Sequence, residues 1–276
     1  MKRACVIGWP VAHSRSPLIH GYWLRQHGID GSYHKEAVRP EDAMGFLASL
    51  RARGLVGCNV TLPHKRTALA AAARAAPAAR ATGAANTLWF EGEALVADNT
   101  DGAGFIAHLR ATAPQWALAG VAVGLLGAGG AARALTYALL EAGVGEVRIF
   151  NRTREHAEAL ALGFGKRVLV FDWPAREDRT RDVCLLINAT ALGMHGGAPL
   201  DMGVEHLPPA AMVADIVYVP LVTPLLAAAR ARGLATLDGL GMLLHQAVPG
   251  FAKWFGVRPS VTRELYALVA ADIEGE

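Results

Sequence analysis

Three stretches of the chain carry residue types and spacings that could do chemistry. The first is Asn59-Val60-Thr61-Leu62-Pro63-His64-Lys65. Side chains alternate along a strand, so Asn59 and Thr61 share one face, and Lys65 arrives where the next helix opens. A cation at a helix N-terminus opposes the macrodipole at a cost of about 0.3–1 kcal/mol. That cost invites a functional explanation, a proton shuttle, beside the plain one of a surface lysine. The second stretch is Asp98-Asn99-Thr100-Asp101-Gly102, just before a helical segment. Taken alone, Asp101 reads as a helix N-cap, Ser14 and Ser16 as turn and cap residues, and Asn86 as the end of a turn.

The third stretch is Gly127-Ala128-Gly129-Gly130-Ala131-Ala132, which follows an apolar strand and opens a helix. This is G-x-G-x-x-A in the strand–turn–helix setting of a dinucleotide site. Gly127 permits the tight turn, Gly129 lets the backbone approach a pyrophosphate, and Ala132 keeps the helix close to the sheet. The free N–H groups of the helix start face the phosphates. The next strand ends Phe150-Asn151-Arg152-Thr153-Arg154 with no acid at its tip. An acid there would take a ribose 2′-hydroxyl, whereas two arginines flanking a hydroxyl suit a 2′-phosphate, so NADP is expected over NAD.

Short β-rich runs alternate with helical periods from end to end, which predicts an α/β fold with mainly parallel sheets. Strands are expected at Arg3–Ile7, Ser32–Val38 and Val56–Leu62, then a hairpin of Asn86–Phe90 and Ala94–Ala97. Ser16-Pro17 should open the first helix as N-cap and first turn, and Pro40-Glu41-Asp42 the second, which Gly54 should stop. The alanine-rich stretch after His64 should be helical. Beyond the helical segment Gly102–Ala111, strands are expected at Val121–Leu126, Glu146–Phe150, Arg167–Phe171, Val183–Asn188 and Met212–Val217. Helices follow at Leu240–Phe255 and Ser260–Ile273. Two domains result.

Composition sets the outer bounds. Of 276 residues, 53% are hydrophobic and 18% charged, too apolar for a disordered chain. The charge-free run Ala111–Ala132 holds Pro114 and several glycines, so it reads as a buried strand and turn, not a membrane span. The net charge of +3 comes from scattered Lys and Arg with no basic run, which argues against nucleic acid and suits an anionic small molecule. Cys5, Cys58 and Cys184 lie far apart in apolar runs and are expected to be reduced core residues. His13, His64 and His245 have no metal-site spacing, and no metal is expected. Met1-Lys2-Arg3 runs straight into an apolar strand with no signal-peptide pattern, which sets a cytoplasmic expectation.

Taken together, the pieces resemble the shikimate dehydrogenases, enzymes of the chorismate (aromatic amino-acid) pathway. The resemblance rests on blocks in order along nearly the whole chain: His13-Ser14-Arg15-Ser16-Pro17, Asn59 to Lys65, Gly83-Ala84-Ala85-Asn86-Thr87, Asn99-Thr100-Asp101-Gly102, the glycine turn, Asn151-Arg152-Thr153, Asn188-Ala189-Thr190, and Asp238-Gly239-Leu240-Gly241-Met242 with His245-Gln246-Ala247.

The resemblance implies reversible NADPH-dependent reduction of 3-dehydroshikimate to shikimate. Lys65 and Asp101 would be the catalytic pair, also touching substrate. Ser14 and Ser16 would take the substrate carboxylate, and Asn59, Thr61, Asn86 and Gln246 the ring hydroxyls and carboxylate region. Gly127, Ala128, Gly129, Gly130 and Ala131 would hold the pyrophosphate. Asn151, Arg152, Thr153 and Arg154 would hold the 2′-phosphate end, and Thr190, Ile216, Gly239 and Met242 the nicotinamide side, with Tyr218 also among the cofactor residues.

It further implies a substrate domain of residues 1–101 and 240–276, to which the C-terminal helices return, and a Rossmann-type NADP domain of residues 102–239. The chain would work as a monomer or homodimer, without nucleic acid or membrane. Two departures from the pattern, Ala191-Leu192 after Thr190 and Val219 before Pro220, bear on cofactor-side hydrogen bonds. The rival readings are a quinate/shikimate dehydrogenase using NAD, a non-catalytic NADP-binding sensor, and another two-domain dehydrogenase. Arg152 and the serine pair stand against the first, and retention of Lys65 and Asp101 against the second.

Overall fold

The first apolar run forms β1 (Lys2–Gly8), followed by α1 (Ser16–Gln26) and β2 (Gly31–Ala37). Ser16 is the first helical residue and not the cap: Arg15 holds the cap position without a side-chain bond, and Ser14 Oγ accepts from the Ser16 N–H at 3.3 Å. A 3₁₀ turn at Pro40–Asp42 leads into α2 (Ala43–Ala48), which ends before Gly54. There Ser49 Oγ donates to the Phe46 carbonyl and draws the chain into turns. β3 (Leu55–Val60) stops one residue short of Thr61, whose N–H still donates to Ile7 O at 2.9 Å.

The alanine-rich stretch is not one helix but α3 (Lys65–Ala71), β4 (Arg74–Ala75) and α4 (Pro77–Thr82). Ala73 and Ala76 donate to Leu95 O and Ala97 O, so sheet pairing overrides the helix propensity of alanine. Then come β5 (Thr87–Glu91) and β6 (Ala94–Asp98). The sheet order is β2-β1-β3-β5-β6-β4, with β5 antiparallel to both β3 and β6. The ends of β1, β3 and β6 and the start of β5 therefore lie along one sheet edge, where Asn59 pairs Thr87 and Thr87 pairs Asp98.

The chain continues through α5 (Asp101–Thr112), β7 (Ala122–Leu126), α6 (Gly130–Glu141), β8 (Glu146–Asn151), α7 (Arg154–Ala161), β9 (Val168–Asp172), β10 (Leu185–Asn188) and β11 (Met212–Asp215). Next are α8 (Pro224–Ala231), β12 (Ala235–Leu237), α9 (Gly239–Phe255) and α10 (Arg263–Glu274). Sequence pattern predicts neither α8 nor β12: β12 is only three residues long, and α8 is a short alanine-rich segment. This second sheet is wholly parallel in the order β9-β8-β7-β10-β11-β12. That is the doubly wound dinucleotide-binding order, and its topological switch falls between β7 and β10. Strand alternation sends Val123, Leu125, Ile149 and Ile187 to one core and Leu126, Phe150, Leu186 and Val213 to another, as a sheet covered on both faces requires.

This computed structural model describes residues 1–275. Two units result: Met1–Asp101 with Leu244–Val269, and Gly102–Leu243 with the chain from Ala270. The C-terminal return to the first unit is anchored by Trp254 Nε1, which donates to Leu88 O at 2.8 Å, and by Trp23 Nε1, which donates to Ser260 O at 3.0 Å. Cys5 and Cys58 are buried, while Cys184 is only half-buried. Among the described residues no helix is long and apolar enough to cross a membrane, and no group of His, Cys, Asp or Glu could hold a metal ion.

Candidate active site

Lys65 opens α3, and its ammonium meets Asp101 Oδ2 at 2.5 Å. The carboxylate offsets the cost of a cation at a helix start. Asp101 is the first residue of α5, but its side chain does not cap that helix. Oδ2 takes Lys65 and Oδ1 takes Asn86 Nδ2 at 2.7 Å. The Asn86 amide also donates to Gln246 Oε1 at 3.3 Å, and Gln246 O accepts from Thr100 Oγ1 at 2.9 Å. Asn86, Thr100 and Gln246 are buried, while Lys65 keeps 26% of its side chain exposed and Asp101 13%. An ion pair held by buried amides yet open to a ligand can pass a proton to an oxygen placed against it.

Thr61 lies just past the end of β3 at this same edge, while Ser14 and Ser16 follow β1 in the chain, Ser16 as the first residue of α1. Trp9 N donates to Leu62 O at 3.0 Å and ties the segment after β1 to the segment after β3. Asn59 differs from the others. Its Oδ1 accepts from Tyr33 OH at 2.7 Å, and its Nδ2 donates to Asn86 O at 3.1 Å and Thr87 Oγ1 at 3.2 Å, so the amide is committed inside the protein.

On the second sheet, Gly127 has φ of +106°, and a Cβ there would lie 3.0 Å from Ala189 O and Thr190 Cγ2. The turn after β7 thus presses on the segment after β10, at the switch point. Gly129 is glycine for another reason. Its φ of −79° suits any residue, and no protein atom lies within 4 Å of where its Cβ would be. Nothing in the protein demands glycine at Gly129 or at Gly130, beside the unpaired N–H groups of the α6 start. The open space at both positions leaves room for a phosphate against the helix end, so the residues fit a dinucleotide.

A groove of about 440 Å³ runs from this turn past Asn151, Arg152, Thr190 and Trp173. Trp173 and Met194 line it, and sequence reading missed both because residues just past a strand end show no periodicity. Asn151 Nδ2 donates to Thr153 O at 2.7 Å and shapes the turn that carries Arg152. Arg154 is instead held by Asp172 at 2.6 Å and Glu158 at 2.8 Å. Asp172, then Glu158, holds its guanidinium pKa above the usual value.

Three family profiles match the chain: "Shikimate dehydrogenase substrate binding domain" over residues 6–88, "Shikimate / quinate 5-dehydrogenase" over 110–192, and "Shikimate 5'-dehydrogenase C-terminal domain" over 239–263. The NADP(+) shikimate dehydrogenase of Nitrobacter winogradskyi is 55% identical over 99% of this chain and 97% of its own. The chain belongs to the shikimate dehydrogenase family. The shikimate 5-dehydrogenase of Thermus thermophilus, solved with NADP(H) and shikimate, is 37% identical, with a TM-score of 0.85 over 100% of this chain and 99% of that one. The fold is shared more widely. The quinate dehydrogenase of Corynebacterium glutamicum, solved with NAD, has a TM-score of 0.90 at 29% identity, over 98% of this chain and 99% of that one.

The other residues implied by the family resemblance also lie in the second unit, Thr190 on this same groove. Thr190 N and Oγ1 both donate to Asn188 Oδ1, and Leu192 N donates back to Thr190 Oγ1, so Thr190 holds the turn that leads into Ala191-Leu192. Gly239 opens α9, where a Cβ would meet Ile216 O at 2.4 Å, and Met242 is buried in the core that Ile216 joins. Tyr218 lies half-buried after β11. Asp215 at the tip of β11 anchors this region. It accepts from Asn188 Nδ2, Val217 N and Thr223 Oγ1, while burial pushes its carboxyl pKa up against those bonds.

Proposed function

We propose that this chain is an NADP-dependent shikimate dehydrogenase that reversibly reduces the ketone of 3-dehydroshikimate to the hydroxyl of shikimate. The observation that carries this reading is the Lys65–Asp101 pair, 2.5 Å apart and fixed by Asn86, in a chain of this family. When bound, NADPH supplies the hydride. In reduction Lys65 delivers a proton to the oxygen that gains it, and in oxidation it removes that proton. Asp101 orients Lys65 and accepts a hydrogen bond from the substrate hydroxyl.

Ser14 and Ser16 bind the carboxylate, and Thr61, Asn86 and Gln246 the ring substituents. Asn59 supports these from behind. The turn at Gly127, Ala128, Gly129, Gly130 and Ala131 holds the pyrophosphate, and Arg152 with Asn151 and Thr153 the 2′-phosphate. Arg154, already paired, adds charge to that end. Thr190, Ile216, Tyr218, Gly239 and Met242 serve the nicotinamide side. Residues 1–101 and 240–276 are then the substrate domain and 102–239 the NADP domain of a cytoplasmic enzyme acting as a monomer or homodimer.

Initial rates with shikimate and quinate, each with NADP and NAD, test the reading. Strong preference for shikimate with NADP is expected. Comparable activity with quinate and NAD would favour the chemistry of the Corynebacterium neighbour, and no activity in any pairing would overturn both.

A further inference from the structure

Asn86 can hold Asp101 only if its amide points the right way, and the buried groups behind it settle which way that is. The Asn86 main-chain carbonyl can only accept, so the Asn59 atom facing it at 3.1 Å is Nδ2. Asn59 Oδ1 then faces Tyr33, whose hydroxyl must donate to it at 2.7 Å. The same Nδ2 donates to Thr87 Oγ1, so the single Thr87 proton is directed onward to Asn86 Oδ1 at 2.9 Å. Thr100 N, which can only donate, reaches that same Oδ1 at 2.9 Å. With its oxygen held from both sides, Asn86 presents Nδ2 to Asp101. Turned over, it would set oxygen against carboxylate oxygen and push Asp101 away from Lys65.

We infer that Tyr33, Asn59 and Thr87 are positioning residues that set the polarity of the Lys65–Asp101 pair through Asn86. All three are buried, with Thr87 at 1% exposure, and none need touch substrate to act. The inference rests on the reading of Lys65 and Asp101 as the reacting pair. It adds residues outside that pair whose effect is transmitted by hydrogen-bond direction.

A double-mutant cycle tests it, with kcat, the KM for shikimate and NADP affinity by calorimetry as separate readouts. Thr87→Val keeps shape but removes the hydroxyl. It should lower kcat roughly 3- to 10-fold, the scale of one hydrogen bond, with NADP affinity unchanged. Thr87→Ser should restore kcat, and Thr87→Val should add no loss in an Asn86→Ala background. Independent, multiplying losses in the double variant, or a lower melting temperature with unchanged kcat, would overturn the inference. Tyr33→Phe removes one oxygen only and serves if Thr87→Val fails to fold. A wild-type kcat in Tyr33→Phe would likewise overturn it. Failure of the underlying reading looks different: Lys65→Ala would then keep its rate.

Discussion

The Lys65 ammonium and the Asp101 carboxylate lie 2.5 Å apart across 36 residues of sequence. One opens α3 and the other opens α5, so the pair forms only when the sheet edge that carries both is assembled.

From this pair follows the first prediction. Lys65→Ala should fold and bind NADP with ordinary affinity, yet lose roughly a hundred- to ten-thousand-fold in kcat, the usual weight of a positioned proton-transfer group. Steady-state rates beside calorimetry of NADP binding check it, and near-wild-type turnover would remove Lys65 from the chemistry.

Cofactor choice should depend on Arg152 far more than on Arg154. Arg152 lines the groove and, among the described residues, no ion-pair partner holds it, whereas Arg154 is committed to Asp172 and Glu158. Arg152→Ala should cut the NADP-over-NAD ratio of kcat/KM by about tenfold or more, as loss of a charge-assisted hydrogen bond implies. Arg154→Ala should change it much less. Equal effects would place the 2′-phosphate elsewhere.

Gly127→Ala should fail on two counts. A φ of +106° disfavours alanine, and the added Cβ would press on Ala189 O and Thr190 Cγ2 at 3.0 Å. A loss of about 1–3 kcal/mol in unfolding free energy is expected, together with weakened NADP binding, both measurable on one purified variant.

Asp215→Ala should weaken NADP binding without touching substrate residues. It strips the acceptor from Asn188, Val217 N–H and Thr223, and Asn188 is what holds Thr190. Stability should fall by about 2–3 kcal/mol in chemical denaturation. A variant that is destabilised but binds NADP normally would confine Asp215 to structure.

Acid stability should carry the signature of His20. The ring is fully buried, stacked on Tyr33 at 4.0 Å, and burial lowers its pKa from 6.5 to about 3. The unfolded chain therefore binds a proton that the folded chain refuses, so this group's contribution is present above about 6.5 and is lost as pH falls toward 3. His20→Phe should flatten the dependence of unfolding free energy on pH in that window. An unchanged slope would assign it to other groups.

Much of this was legible in sequence because it is local. The glycine turn, the strand ending at Asn151-Arg152 and the period-two strands depend on neighbours within a few residues, and they reappear within one or two positions of where spacing puts them. The failures have physical reasons too. Alanine propensity hid β4 because pairing with β6 outweighs it. Asp101 looked like a cap because a carboxylate before a helix has a local use, and only distant partners draw it away. Local pattern was enough for most of the elements, for the family and for the residue types able to do the chemistry, but not for β4, α8 or β12. Tertiary structure alone decided that Asn59 faces inward, that Arg154 is already paired, that Trp173 reaches the groove and that Asn86 joins Asp101 to Gln246. Those facts rest on hydrogen-bond direction and contact between strands far apart in the chain, which no local pattern encodes.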